Sequence, residues 1–166
     1  MTTFREANKN DTKKIATLHA ESWRKHYRGI WNDAFLDKDV YEERMDVWER
    51  RLNYPKTNQY VLLAEKNNEL LGFVCIYIND DPAFGTLVDN LHVAAEAQGM
   101  GIGKQLIDKA REKITDHGSG SHFYLWVLEE NYAARKFYEH LGGKHYEVVI
   151  EKEADGDFHA ACRYVW

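Results

Sequence analysis

The stretch "QGMGIGKQLI", residues 98–107, places three glycines at alternate positions and then turns apolar. Gly103 falls where a helix should already have begun, and glycine there costs about 1 kcal/mol relative to alanine. Glycines allow a ligand to approach the backbone closely, and a helix N-terminus presents free N–H groups and positive potential to an anion. The stretch therefore predicts a phosphate or pyrophosphate site that opens a helix, with Lys104 at its rim.

Two well-known nucleotide motifs do not fit this stretch. A P-loop requires Ser or Thr after its Gly-Lys pair, but Gln105 follows Gly103 and Lys104. A dinucleotide fingerprint requires a third glycine three positions after Gly101, where the chain has Lys104. A nucleotide-binding protein is therefore disfavoured.

The flanking segments predict the fold. Strand patterns precede the loop, and a helix, a continuously apolar strand, a second helix and a hairpin follow it. The predicted helices cover residues 10–23, 37–52, 101–117 and 131–143, and the predicted strands 59–65, 70–78, 86–93, 122–128, 144–153 and 157–166. Asp11 is the expected cap of the first helix. This order predicts an α/β fold, a mixed and largely antiparallel sheet flanked by helices, with residues 1–166 in a single domain.

Composition excludes several classes of protein. The net charge is −5 and basic residues are interleaved with acidic ones, so we expect no nucleic-acid partner. No apolar run approaches membrane-spanning length and the first residues show no signal-peptide core, so we expect a cytoplasmic protein without a membrane partner. Cys75 and Cys162 have no metal-ligand spacing, so we expect reduced core cysteines and no metal.

A family resemblance covers nearly the whole chain. The pattern Gln98-x-x-Gly101-x-Gly103 after a strand resembles the Q/R-x-x-G-x-G/A acyl-CoA motif of the GNAT-type N-acetyltransferases. The segment "DNLHVAAEAQGMGIGKQLI" resembles the family's fourth strand, loop and third helix. "FYLWVLEENYAARKFYEHLGGK" resembles its fifth strand and fourth helix, and "ESWRKHYRGI" its acceptor-side helices. The resemblance implies the GNAT fold, with acetyl-CoA as co-substrate.

The resemblance also implies which residues bind the cofactor. Main-chain groups of Leu91 and Val93 would bond the pantetheine arm, as an added strand does. Asn131 would reach the same arm, although it is also a natural helix N-cap. Gln98 could instead be a solvated loop residue. The full set that the resemblance implies is Leu91, His92, Val93, Gln98, Gly99, Met100, Gly101, Ile102, Gly103, Lys104, Asn131 and Tyr138.

The resemblance implies a catalytic role for Tyr138, whose hydroxyl would protonate the departing thiolate. An isolated tyrosine on a helix face would simply be part of the core. Many relatives carry a glutamate base on the fourth strand, but the corresponding run "TLVDNLHV" contains none. Asp89 and His92 are the two candidates that remain, although Asp89 could cap a turn and His92 could be structural.

An aromatic cluster predicts the acceptor pocket. Trp23, His26, Tyr27 and Trp31 lie in and after the first predicted helix. Such rings either pack helices together or bind a cation through their faces. We assign Trp23 to packing, and Tyr27 and Trp31 to the lining of the pocket.

These observations together predict an N-acetyltransferase. It would move an acetyl group from acetyl-CoA to a primary amine of a small molecule or peptide by direct attack. The alternative is a non-catalytic acyl-CoA-binding or sensing module, which the missing strand glutamate keeps open. A homodimer is compatible with the sheet edge that the terminal strands would offer.

Overall fold

The computed structural model describes residues 1–118 and 120–166. These residues form one seven-stranded sheet with five helices against its two faces. The strands are β1 Thr3–Glu6, β2 Gln59–Lys66, β3 Glu69–Asp81, β4 Gly85–Val93, β5 Phe123–Leu128, β6 Lys144–Lys152 and β7 Phe158–Val165. The helices are α1 Thr12–His26, α2 Asp33–Lys38, α3 Val40–Asn53, α4 Ile102–Asp116 and α5 Tyr132–His140.

The strand order in the sheet is β1-β2-β3-β4-β5-β7-β6. Every neighbouring pair is antiparallel except β4 and β5, which run parallel. A parallel pair needs a crossover connection, and α4 supplies it. The predicted mixed, largely antiparallel sheet with helices on its faces is therefore confirmed.

Two apolar layers hold the helices on the sheet. Alternate residues of β3 serve opposite layers: Val74 and Ile76 pack with α4, whereas Phe73 and Cys75 pack with α1 and α3. Gly72 allows α4 to come close, since a Cβ there would lie 3.2 Å from Cδ1 of Leu106 and 3.3 Å from Cγ2 of Ile102. These layers fix α4, and hence its N-terminus, against the centre of the sheet.

Two short elements were not predicted from the sequence. β1 has only four residues, too few to establish an alternating pattern. α2 has six, although Asn32 marks its start by accepting N–H bonds from Ala34 and Phe35. Asp11 lies at the predicted N-cap position of α1, but its side chain makes no cap bond to that helix. Its carboxylate instead pairs with Arg5 at 2.7 Å.

The two cysteines match their predicted role, because Cys75 and Cys162 are both buried and free. None of the helices in the described ranges is long and apolar enough to cross a membrane. Within the same ranges, no three His, Cys, Asp or Glu side chains converge as metal ligands would.

Candidate active site

The centre of the sheet is split. β4 and β5 pair at only two positions, Thr86 with Phe123 and Leu87 with Tyr124. β4 nevertheless continues to Val93. Beyond Leu87, the side of β4 that faces β5 has no strand partner, so a gap opens between two central strands.

A β-bulge at Asp89 sets the orientation of the backbone at this gap. Cys75 on β3 pairs with Asn90 of β4, and the next residue, Ile76, pairs with Val88. Asp89 is therefore the one extra residue, and it reverses the alternation of N–H directions along β4.

The backbone of Leu91 and Val93 consequently faces the gap. The N–H of Ala94 bonds to the Leu71 carbonyl on the β3 side, at 2.8 Å. Because successive residues of a strand point their N–H and C=O groups to opposite sides, the groups of Val93 and Leu91 point away from β3. The Gln98 amide reaches the Val93 carbonyl at 3.4 Å. The strand positions predicted to bond a pantetheine arm thus present main-chain groups to an open side.

The glycine loop ends in a helix N-terminus with free donors. Gly99 and Gly101 both have φ of +77°, a conformation that favours glycine. Gly101 is the N-cap of α4, and the first helical bond runs from the Gln105 N–H to its carbonyl at 3.0 Å. The N–H groups of residues 102–104 precede that bond and have no partner within the helix. Together with the helix dipole, these N–H groups make this helix N-terminus a candidate anion site.

Gly103 is explained by packing rather than by the turn. Its φ is not left-handed, but a Cβ would lie 3.1 Å from Cζ of Phe137 and 3.6 Å from Cγ2 of Val93. The missing side chain lets α5 lie close against the start of α4, so the cost of this glycine is offset by a contact between helices.

One cavity of about 820 Å³ connects the loop, the gap and the aromatic cluster. It brings together the predicted site residues with the exception of Met100. Met100 is 55% exposed and its N–H bonds to the Ala97 carbonyl at 3.3 Å. The predicted residues on its walls are Tyr27, Trp31, Asp89, Leu91, His92, Val93, Gln98, Gly99, Gly101, Ile102, Gly103, Lys104, Asn131 and Tyr138.

Several of these residues also make local contacts. Gln98 bridges the loop to α1, because its amide group contacts Lys25 at 3.2 Å and His26 at 3.3 Å. Asn131 caps α5 by accepting the Ala134 N–H at 3.3 Å. The Lys104 ammonium lies 2.6 Å from Asp108, an exposed pair one helical turn later. These contacts hold the mouth of the anion site in place.

Tyr138 contributes a free phenol to the cavity. No hydrogen bond joins its hydroxyl to any residue in the described ranges, while its ring contacts Phe137 and Trp166. Burial raises the pKa of Tyr138 above its ordinary value of 10.0. The hydroxyl therefore keeps its proton at neutral pH and has that proton available to donate.

His92 lines the same cavity as a neutral imidazole. Its Nδ1 lies 2.8 Å from Oγ of Ser22 on α1. Burial, and then the charges of Arg44 and His26, lower the pKa of His92 to about 3. The ring is thus uncharged throughout the neutral range and is a weaker base than ordinary histidine.

A second histidine, His19, lies directly behind His92. The two ring centroids are 4.2 Å apart, and His19 is fully buried. Its Nδ1 accepts the indole N–H of Trp48 at 3.0 Å, which places the proton of the neutral ring on Nε2. Burial, and then His92, lower the pKa of His19 well below its ordinary value.

Asp89 is held in an ion pair. Its carboxylate lies 2.7 Å from the Arg51 guanidinium, which also donates to Oδ1 of Asn90 at 2.7 Å. The Arg51 guanidinium in turn lies over the ring of Trp48, 5.2 Å from its centre. The bulge residue thus anchors α3 to β4.

The aromatic cluster forms the far end of the cavity. The ring centres of Trp23 and Trp31, and those of Tyr27 and Trp31, are 4.7 Å apart. Arg44 lies over Trp23 at 4.0 Å and pairs with Glu43 at 2.5 Å. Burial raises the pKa of Tyr27, and the nearby Tyr138 and Glu153 raise it further. Trp23 packs the helices as predicted and also forms part of the wall.

Sequence reasoning missed part of the wall. For Glu151 and Glu153 the only signal was the alternation of acidic and apolar side chains in "YEVVIEKE". That alternation defines two strand faces but does not show which face is inside. The unpredicted wall residues with polar groups include Ser22, Arg44, Arg51, Asn90, Glu151 and Glu153.

A split sheet, an anion site at a helix N-terminus and a shared cavity define the GNAT-type acyltransferase class that the sequence resembles. The family model described as "Acetyltransferase (GNAT) family" matches residues 17–143. The chain therefore belongs to the GNAT acetyltransferase family.

Curated relatives are similar over most of their length. An N-acetyltransferase of Archaeoglobus fulgidus is 30% identical over 139 residues, which cover 81% of this chain and 88% of the relative. The N-acetyltransferase YuaI of Bacillus subtilis is 29% identical over 133 residues, covering 79% and 74%.

Solved structures share the fold at low identity. A GCN5-related N-acetyltransferase from Rhodopseudomonas palustris has a TM-score of 0.79 at 16% identity, covering 99% of this chain and 94% of that one. The PaiA N-acetyltransferase of Thermoplasma acidophilum, solved with coenzyme A, has a TM-score of 0.72 at 21% identity, covering 97% and 98%. The yncA protein of Salmonella typhimurium, solved with acetyl-CoA, has a TM-score of 0.69 at 19% identity, covering 100% and 93%.

Proposed function

We propose that this protein transfers an acetyl group from acetyl-CoA to a primary amine of a small molecule or peptide by direct attack. One observation carries the proposal. The main chain of Leu91 and Val93 faces an unpaired gap that runs, within one cavity, from the glycine loop to the free hydroxyl of Tyr138.

The residues fit the parts of acetyl-CoA. The unpartnered N–H groups at the start of α4 suit a pyrophosphate. The open side of β4 suits the amides of a pantetheine arm, which would add to the sheet as a peptide strand does. The structures of PaiA with coenzyme A and of yncA with acetyl-CoA support this assignment, because both proteins share the fold.

Bound acetyl-CoA supplies a thioester carbonyl carbon, which bonds to the amine nitrogen as the carbon–sulfur bond breaks. The backbone N–H groups that face the gap are donors for the carbonyl oxygen, where negative charge develops. Holding the amine beside this carbon lowers much of the remaining barrier.

The proton balance assigns separate tasks to the side chains. An alkylammonium loses one proton to solvent before its nitrogen attacks. The nitrogen gives up a second proton after the new carbon–nitrogen bond forms, and the sulfur takes one. The net reaction releases only the first of these protons, which goes to solvent. The protein must therefore accept the second proton at nitrogen and donate one proton at sulfur.

We assign the donor role to Tyr138. Its phenol is protonated at neutral pH and has no competing partner in the described residues. Donation to the sulfur therefore breaks no existing hydrogen bond. The phenol is restored for the next turnover when its phenolate regains the proton that the acceptor at nitrogen has taken up.

His92 and Asp89 compete for the acceptor role at nitrogen. Protonation of Asp89 would break its ion pair with Arg51. His92 forms no ion pair with any residue that the structure describes, and its low pKa is sufficient because a nitrogen already bonded to the acyl carbon is far more acidic than a free ammonium. We therefore assign the acceptor role to His92, oriented by Ser22, and an anchoring role to Asp89.

The test is release of free CoA thiol from acetyl-CoA in the presence of a panel of primary amines. Amine-dependent thiol release with formation of the acetylamide supports the proposal. Tight acetyl-CoA binding without thiol release for any amine would overturn it in favour of an acyl-CoA sensor.

A further inference from the structure

The acceptor end of the cavity contains two carboxylates without a cationic partner. The positive charges on its walls are already paired, Arg44 with Glu43 and Arg51 with Asp89. In contrast, no Lys, Arg or His of the described ranges forms an ion pair with Glu151 or Glu153. This end of the cavity therefore has an excess of negative charge.

The β6–β7 hairpin orients these two carboxylates against the usual pattern of burial. On β6 the apolar side chains of Tyr146, Val148 and Ile150 are 60%, 43% and 72% exposed. Glu151 and Glu153, at positions of opposite parity, line the cavity instead. Burial, and then the negative charge of Glu151, raise the pKa of Glu153, whereas His159, which is itself paired with Asp155 at 2.9 Å, opposes that shift. Glu151 is exposed and Glu153 is half-buried, and both line the cavity, where their carboxylates are accessible to a ligand.

The aromatic wall beside them contains an unused hydrogen-bond donor. Tyr27 and Trp31 line the cavity, and aromatic faces attract cations. Trp31 is only 4% exposed, yet its indole N–H has no hydrogen-bond partner in the described part of the chain. This end of the cavity thus combines carboxylates, ring faces and an unused donor.

We propose that the acceptor is an amine with a second positive charge, held by Glu153 and Glu151 against the rings of Tyr27 and Trp31. The reacting nitrogen then lies toward Tyr138, and the second cation lies toward the β6–β7 hairpin. This assignment rests on the proposed function, since it names the class of amine that the same site accepts.

Four acceptors of equal chain length test the charge requirement. They are 1,5-diaminopentane, n-pentylamine, 5-aminopentan-1-ol and 5-aminopentanoate, which present a positive, apolar, neutral polar and negative far end. We expect kcat/KM for the diamine to exceed that for pentylamine at least tenfold, well above the factor of about two from its two equivalent amines. An amino alcohol as good as the diamine would overturn the proposal, because the far end would then be read by hydrogen bonding alone.

Two variants and one matched control locate the effect. Glu153→Gln and Glu151→Gln keep the side-chain shape but remove the charge, and each should lower kcat/KM for the diamine about tenfold while pentylamine changes less than about twofold. Glu147→Gln makes the same change on the same face of β6, where Glu147 pairs with Arg163 at 2.8 Å outside the cavity. It should leave the ratio between the two amines unchanged. An unaltered ratio in both cavity variants would overturn the proposal.

Calorimetry separates this inference from the proposed function. With CoA bound and no reaction occurring, the diamine should bind more tightly than pentylamine, and Glu153→Gln should abolish the difference. If no amine is acetylated but this difference is seen, the enzymatic proposal fails and the cation site stands. If pentylamine and the diamine are acetylated equally and bind equally, the enzymatic proposal stands and the cation site fails.

Discussion

The two ends of the cavity are built from different chemical groups. At the end where we propose that the cofactor binds, the groups that face the cavity are main-chain N–H groups of the glycine loop and of β4, oriented by Gly99, Gly101 and the bulge at Asp89. At the acceptor end, they are side chains of the segment after α1 and of the β6–β7 hairpin.

This difference separates what the fold fixes from what it leaves adjustable. A main-chain site survives most side-chain substitutions, because only backbone conformation and helix position define it. A side-chain site changes with each residue on its wall. The same fold can therefore hold one cofactor while the acceptor is changed, and Tyr138 lies where the two ends meet.

Tyr138→Phe removes the proposed proton donor at the junction of the two ends. The change keeps the ring and its packing, so acetyl-CoA should still bind. Because general acid catalysis is typically worth about 10²–10⁴-fold, the single-turnover rate should fall within that range. Tyr132→Phe, at a 64% exposed position of the same helix, is the control. A wild-type rate in the Tyr138 variant would make this residue a packed aromatic only.

Gly101→Val should damage the cofactor end alone. The space beside Gly101 is open, with Nε2 of Gln105 at 3.7 Å from an added Cβ, so the effect comes from the left-handed φ that valine resists. Loss of two aligned N–H donors to an anion should weaken CoA affinity about 100-fold by calorimetry.

Gly118→Val is the matched control for that change. Gly118 also has a left-handed φ, of +66°, with an open surrounding, but it follows the far end of α4. The Gly118→Val variant should lose about as much stability as Gly101→Val but keep its affinity for CoA. Equal affinity in both variants would reject the pyrophosphate assignment.

His92→Gln tests the residue that we propose as the proton acceptor at nitrogen. We expect kcat to fall about tenfold, below the 10²–10⁴-fold that general acid–base catalysis typically contributes, because a base with so low a pKa contributes little driving force. We expect kcat/KM to rise with pH as the amine substrate loses its proton. Because that rise reflects the pKa of the amine, it should occur at the same pH in His92→Gln. If the rise moves in this variant or in Asp89→Asn, the mutated residue is the base that deprotonates the free ammonium.

Acid should destabilise the folded protein through two buried histidines, His19 and His92. The pKa values of His19 and His92 lie below the ordinary 6.5 in the folded protein, so each takes up a proton on unfolding below that pH. The contribution of the two neutral histidines to the free energy of unfolding is complete above pH 6.5. It is lost as pH falls toward the folded pKa, by up to about 1.4 kcal/mol per pH unit for each histidine. Denaturant titrations should show a shallower fall in the free energy of unfolding for His92→Gln. An unchanged slope would contradict the low pKa.

The cofactor end was predictable because its signals are local. The spacing from Gln98 to Gly103 lies within six residues, and the buried strand β5 and the helix α5, which Gly142 follows, were equally visible in sequence. One feature there was not local: the conformation of Gly103 gives no sign of the Phe137 contact, which depends on how two helices pack.

The acceptor end was only partly predictable because it forms in three dimensions. Tyr27 and Trp31 stood out as aromatics, but Glu151 and Glu153 lie more than 100 residues later in the chain. Alternation places them on one face of a strand without showing which face is inside, and ordinary burial preferences would put Ile150 inside. His19 was missed for a related reason, since a buried histidine within a helix looks like any other polar position until its neighbours are known.

The gap beside β4 gives the centre of this sheet an internal edge. In the free protein, the amide hydrogens of Leu91 and Val93 should exchange with deuterium as rapidly as those of an outer strand, although sheet surrounds them on both sides. A bound pantetheine arm would slow that exchange and complete the sheet. The ligand would thus act as a structural part: at 100 times its dissociation constant it would add about 2.7 kcal/mol to the free energy of unfolding.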